Sequence, residues 1–314
     1  MREVKRIVSL LPSATEMIYE LGLQDRLVGV THECDYPEEV RGKPVVVRSA
    51  LDLSSLSPRE IDATVSAAIR EGREIYTIDE QLLENLSPDL VIGQGLCDVC
   101  AVGAGTITGI ISRLSSEPEL LDMSPSTIGG ILGNIMELGR HTGREERARE
   151  VVSALQTRIS AVHRKTRGMS ERRSVFFMEW TDPIFCSGHW VPQMIEIAGG
   201  TDLLGRKGKP SVRIKWETVA ALNPEIIIIS SCGMHLPEML SEAERLSSLP
   251  GWSEVKAVRD GNVFAVDAGA YFARPGPRVV SGIELMAHIL HPEVFEWNGP
   301  SDAFARLDGA KLLV

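Results

Sequence analysis

The chain has 314 residues, 43% of them apolar, which exceeds what one ordinary hydrophobic core organises and suits two domains or lobes. A formal charge of −10 at pH 7 gives a surface that repels phosphate backbones and anionic headgroups, so nucleic acid and membrane surfaces are excluded as expected partners. No apolar run approaches the roughly 20 residues of a membrane-spanning helix. The apolar stretch after Lys5-Arg6 stops at Pro12, too early for a secretory leader, and five cysteines, an odd number, do not read as a disulfide framework. The expected location is therefore the cytoplasm, or the periplasm or exterior if the chain is a processed form.

In chain order, residues 6–11 read as a buried strand, and Ser13-Ala14-Thr15-Glu16 has the spacing of a capping box opening a helix that stops at Gly22. Residues 27–30 and 45–47 are strand-like. Ser57-Pro58-Arg59-Glu60 opens another helix with Pro at its first position, ending near Gly72. Residues 75–78, a short helix through Leu86, and residues 90–92 continue the alternation, which indicates a mainly parallel, helix-covered sheet. Residues 144–167 then place Ala148, Val151, Val152, Leu155, Ile159 and Val162 at helical spacing among charges, with no breaker. A helix of that length spans roughly 36 Å. Beyond Gly168 the alternation resumes with a strand at 174–178, a helix ending at Gly199-Gly200, and strands at 226–230 and 263–266.

The halves echo each other. Leu86-Ser87-Pro88-Asp89-Leu90-Val91-Ile92 returns as Leu222-Asn223-Pro224-Glu225-Ile226-Ile227-Ile228, and Met17, Ile18, Gly22, Asp25 and Leu27 have equally spaced counterparts at Met194, Ile195, Gly199, Asp202 and Leu204. With the central helix, this predicts two Rossmann-like α/β lobes: residues 1–143, a connecting helix 144–167, and residues 168–314, with a ligand cleft between the lobes.

Ligands of open parallel sheets bind beyond the C-terminal ends of the strands. The loops there hold Pro12-Ser13, the run from Thr31 to Tyr36, Trp180, His189-Trp190, Cys232-Gly233, and Tyr271-Phe272 with Arg274. In a chain with only 5% aromatic residues this concentration suggests a flat, partly apolar ligand surface. Trp180, Trp190, Tyr271 and Phe272 supply apolar contact; Pro12, Ser13, Tyr36, His189 and Arg274 complete the candidate set. Cys97-x-x-Cys100 suits two thiolates on zinc or another metal, with His32 and Cys34 as further ligands. The same spacing suits a thiol redox pair, or two structural cysteines in a tight turn. A Walker loop, a G-x-G-x-x-G turn after a strand and a G-x-S-x-G elbow are all absent from the sequence.

These segments in this order resemble the cobalamin-binding branch of the helical-backbone solute-binding proteins of ABC importers. The resemblance is carried by residues 6–16, Val28-Gly29-Val30 with Asp35-Tyr36-Pro37, Ser87-Pro88-Asp89-Leu90-Val91-Ile92, Asp182-Pro183, Gly188-His189-Trp190, Gly199-Gly200, Asn223-Pro224-Glu225 and Pro275-Gly276-Pro277-Arg278. It implies two α/β lobes joined by one long helix, a site for a corrinoid or another metal chelate, and a stiff hinge. It also implies one acidic residue per lobe that docks on the permease. Glu217 is at such a position in the second lobe, whereas the first-lobe counterpart region reads Gly95 to Cys100. The expected function is reversible, non-enzymatic binding of a cobalamin-like ligand. The rivals are a metal- or thiol-dependent enzyme using the CxxC loop, and a ferric-siderophore or haem binder.

Overall fold

The structure, a computed structural model, describes residues 3–95, 104–308 and 311–313. Its elements are, in order, β1 (Ile7–Ser9), α1 (Pro12–Glu20), β2 (Leu27–Thr31), β3 (Val45–Ser49), α2 (Pro58–Arg70), β4 (Tyr76–Ile78), α3 (Glu80–Leu86), β5 (Leu90–Gly93), α4 (Ala104–Ile111), β6 (Glu119–Asp122), α5 (Ile128–Thr142) and α6 (Glu145–Thr166). There follow β7 (Arg173–Thr181), β8 (Ile184–Cys186), β9 (Gly188–His189), α7 (Val191–Ile197), β10 (Gly200–Asp202), β11 (Arg206–Lys207), α8 (Trp216–Leu222), β12 (Ile226–Ile229), α9 (Leu236–Leu246), α10 (Lys256–Arg259), β13 (Val263–Val266), α11 (Ala268–Tyr271), α12 (Val279–Leu290), β14 (Phe304–Asp308) and β15 (Lys311–Leu313). The chain forms two compact units, Met1–Pro125 with Gly129–Ala154, and Ser126–Ile128 with Leu155–Val314. The expected long helix is α6, 22 residues long, which begins in the first unit and ends in the second.

Within the first unit the strands run β4-β3-β2-β1-β5-β6, all parallel except the antiparallel β3–β4 edge. Both β1 and β5 are buried at every residue, as strands covered by helices on both faces must be. Val8, Leu10, Val46, Val91, Ile107 and Ile110 fill one side of this sheet. The predicted capping box at Ser57 forms, with Ser57 N donating to Glu60 Oε2 at 2.8 Å and Glu60 N to Ser57 Oγ at 3.4 Å. The one expected at Ser13 does not. Pro12, whose fixed φ suits a helix start, opens α1 one residue earlier, and the cap is Leu11 with no side-chain hydrogen bond.

The second unit's sheet runs β10-β7-β12-β13-β14-β15, with β8 paired to β7. Its centre, β10-β7-β12-β13, is parallel, while β14 and β15 add antiparallel strands. Four consecutive isoleucines make β12, all buried. Phe176, Met178, Trp216, Ile227 and Trp252 share the core on one face, with the two indoles 5.2 Å apart between centroids. The helix α12 is buried over nine of its twelve residues.

The first sequence echo has a structural cause. Helices α3 and α8 each end on a left-handed residue, Ser87 at φ 40° and Asn223 at φ 50°, before a Pro, an acidic residue and a buried strand. Each acidic side chain grips the neighbouring strand: Asp89 Oδ2 accepts from Lys5 N and Arg6 N at 2.9 and 3.0 Å, and Glu225 Oε2 from Ser174 N and Ser174 Oγ at 2.9 and 3.2 Å. The second echo holds for α1 and α7, which are followed by left-handed Gly22 and Gly199, and then fails. After Gly199 the chain enters β10 at once, whereas β2 waits until Leu27. Removing either acidic clamp should cost about 1–3 kcal/mol, the range for charged hydrogen-bond partners. Urea unfolding of Asp89→Ala and Glu225→Ala should show lowered stability, with exposed Glu254→Ala near wild type.

Candidate ligand-binding site

Parallel pairing of β1, β2, β5 and β6 sets their C-terminal ends along one edge of the first unit's sheet, and β7, β12 and β13 do the same in the second. On the first edge Tyr36 is 49% exposed, whereas Ser13 is buried near the start of α1 and Pro12 half-buried. Cys34 is buried, its Sγ 3.2 Å from Thr15 Oγ1 and 3.5 Å from Thr31 Oγ1, and Thr15 Oγ1 donates to Ser9 Oγ at 2.9 Å. His32 is exposed, with Nδ1 3.2 Å from Val47 O. The two side chains thus serve different surroundings, one a buried thiol among hydroxyls and the other a surface ring. Among the described residues no group of three or more His, Cys, Asp or Glu is placed to hold a metal, and of the expected set of Cys97, Cys100, His32 and Cys34 only the last two are described. Cys97 and Cys100 lie outside the described residues.

On the second edge Trp180, at the end of β7, is half-buried and donates its indole N–H to Asp182 O at 3.1 Å. The other three aromatic side chains of the expected set are buried. Trp190 is buried and donates Nε1–H to Phe272 O at 2.8 Å; Phe272 packs on Phe177 at 5.3 Å; Tyr271 stands edge-on to Trp297 at 5.9 Å. Their rings are committed to packing inside the second unit, because the large apolar area that suits them to a ligand also suits them to a core. Arg274 is half-buried beside Gly269, where an added Cβ would sit 3.7 Å from its Cζ. His189 is half-buried in the left-handed region at φ 49°, its Nε2 enclosed without a hydrogen bond among the described residues, and burial pulls its pKa down, favouring the neutral ring.

Around His189 lies a polar cluster that the strand reading passed over. Glu179, in β7, accepts from Gly188 N at 2.7 Å and from the Ser211 side chain, yet burial, with a smaller contribution from nearby Asp202, raises its pKa to about 7. Asp202 accepts from Ser187 Oγ, from Leu204 N at 3.2 Å and from Gly205 N at 2.8 Å, and burial raises its pKa too. The sequence offered Asp202 only as a counterpart of Asp25, and Glu179 only as the residue between Met178 and Trp180.

The sequence also left His235 and Asp267 unmarked, although the strand-end rule selects the loops that carry them. His235 Nδ1 lies 2.9 Å from Asp267 Oδ2, bridging the ends of β12 and β13. Nearby, exposed Cys232 donates its backbone N–H to Glu179 O at 3.3 Å. Elsewhere on the second unit, Glu217 is exposed in the first turn of α8 and lines an open concavity of about 450 Å³ with Asn223, Pro250 and Glu254. No helix among the described residues is long and apolar enough to cross a membrane.

The profile of the family described as periplasmic binding protein matches residues 7–270. The chain belongs to that family. Among the relatives of this periplasmic binding protein, an uncharacterized ABC transporter substrate-binding lipoprotein of Bacillus subtilis is 26% identical over 302 residues, 94% of this chain and 82% of its own. A vitamin B12-binding protein of Vibrio cholerae is 24% identical over 284 residues, covering 89% of this chain and 87% of its own. In fold, the apo periplasmic haem-binding protein of Roseiflexus sp. RS-1 superposes with a TM-score of 0.70 at 21% identity, covering 92% of this chain and 98% of its own. The lipoprotein relative overturns the cytoplasmic placement, since a lipoprotein points outside the cytoplasm. For two of the five cysteines the argument behind that placement carries no weight: Cys34 and Cys186 are enclosed, and an enclosed thiol is inert without a disulfide partner.

The raised pKa of Glu179 makes this periplasmic binding protein's stability depend on pH. Folded Glu179 keeps its proton up to about pH 7, whereas the unfolded chain releases it near 4.5, so between those values the folded state binds more protons. The stabilising contribution is complete below pH 4.5, declines as pH rises and is lost above pH 7, a change on the order of 3 kcal/mol. Asp202 acts in the same direction. Urea unfolding between pH 5 and 8 should show this decline in wild type and a flatter profile in Glu179→Gln.

Proposed function

We propose that this chain is an extracytoplasmic solute-binding protein of an ABC importer, with a cobalamin-like corrinoid as its ligand. The observation that carries the reading is similarity over most of its length to a vitamin B12-binding protein and to an ABC transporter substrate-binding lipoprotein. The lobes proposed from the sequence, 1–143 and 168–314, each present a strand edge suited to a flat, partly apolar ligand. On these edges Tyr36 and Trp180 are the aromatic side chains with surface to offer, and His189 and Arg274 add polar groups. Binding of this kind is non-covalent and needs no catalytic group.

Isothermal calorimetry with cyanocobalamin, with haemin and a ferric siderophore as competitors, tests the ligand. Saturable cyanocobalamin binding is expected, with Tyr36→Ala and Trp180→Ala each weakening it by about 1–2 kcal/mol, roughly five- to thirty-fold, as loss of a large contact does. Heat only with haemin or the siderophore would replace the corrinoid.

We assign Glu217 to permease docking, supported by its exposure at the head of α8 and by Glu254 beside it, which together make an acidic surface. Glu217→Arg should leave ligand affinity unchanged while lowering uptake, or stimulation of permease ATPase, by about ten-fold, as reversal of an interface charge does.

A further inference from the structure

The register of β7 against β8 shifts between Met178 and Trp180, so β7 carries one extra residue, Glu179, just before the tryptophan. A bulge of this kind bends the strand and re-aims the side chain beyond it. Strand alternation therefore leaves the direction of Trp180 open. Its indole N–H is anchored instead on Asp182 O at 3.1 Å, in the two-residue turn Asp182-Pro183 that joins the two strands. Where that turn stands, the indole stands.

The turn is held from outside the sheet. Asp182 Oδ2 accepts from one terminal nitrogen of Arg245 at 2.9 Å, and the other donates to Glu242 Oε2 at 2.6 Å. Glu242 Oε2 also accepts from Thr181 Oγ1 at 2.8 Å, so both residues at the end of the hairpin are gripped. Arg245 and Glu242 are on α9, whose Met239 and Leu246 are buried in the core of the second unit, which makes the helix a fixed platform. The side chains of Glu242 and Asp182 are 14% and 23% exposed, against about half for the surface pair Arg140–Glu137, so solvent screens this network less than an ordinary surface ion pair. A planar guanidinium meets two carboxylates at once, which a lysine ammonium on its flexible stem does not reproduce.

Resting on the function proposed above, in which Trp180 meets the ligand, we propose that Arg245 is a positioning residue for that contact: it pins the β7–β8 turn to α9 and so sets the indole that the ligand meets. Its effect reaches the ligand through the Asp182 carbonyl and Trp180, with no contact of its own.

Isothermal calorimetry on the intact chain, with cyanocobalamin and with haemin, tests this as a double-mutant cycle. Arg245→Met should weaken binding about five-fold alone and add no loss on top of Trp180→Ala, since a residue acting only through the indole has no effect once the indole is gone. Asp182→Asn, which keeps the carbonyl and removes the charge, should weaken binding as Arg245→Met does, and it decides the cycle if Arg245→Met does not fold. Arg245→Lys should restore part of the affinity, and Arg140→Met should bind as wild type. Equal weakening with and without Trp180, or lowered stability in urea with unchanged affinity, would overturn the inference while the binding function stands. So would Trp180→Ala binding as wild type does. Failure of wild type to bind either chelate would overturn both.

Discussion

Parallel pairing of strands buried on both faces governs the rest of the molecule. Such strands have no tight turn to join them, so each must return through a crossover, and every crossover delivers its following loop to the same edge of the sheet. The apolar runs of β1, β5, β12 and β13 thus do more than fill two cores. They decide that Tyr36 in one unit, and Trp180, His235 and Asp267 in the other, stand at strand ends rather than scattered over the surface.

What the sequence made legible follows the strength of local signals. Runs such as Ile226–Ile229, the Ser57–Glu60 box and the unbroken amphipathic pattern of α6 each have one physical reading, and the structure has that reading. The elements that escaped carry mixed signals. The strand β6, Glu-Leu-Leu-Asp, has only two apolar residues between exposed acids, and α5 opens on Ile128-Gly129-Gly130, where two glycines mask a helix. The short strands β8, β9 and β11 are fixed by their pairing partners rather than by their own composition.

The site was less legible for a different reason. Composition identifies residues able to meet a ligand, but burial decides how much surface each has to offer, and burial is a property of the whole unit. Trp190, Tyr271 and Phe272 are conspicuous by type and packed inside the second unit, whereas Glu179 and His235 are inconspicuous: Glu179 gains its raised proton affinity from burial, and His235 its partner from Asp267, 32 residues away. An acid inside a strand has no sequence signature for a shifted proton affinity, because desolvation is set by what folds over it.

The clamps at Asp89 and Glu225 have a consequence at the opposite end of each sheet. A strand that slips by one residue turns all its side chains to the other face, so the pairing register must be held somewhere. Each clamp holds an amide at or just before the start of a neighbouring strand, Arg6 before β1 and Ser174 in β7. The acidic residue therefore works as a ruler's zero mark: it fixes from the far margin how far each strand reaches, and so the depth at which the loops beyond Ser9 and Thr181 emerge.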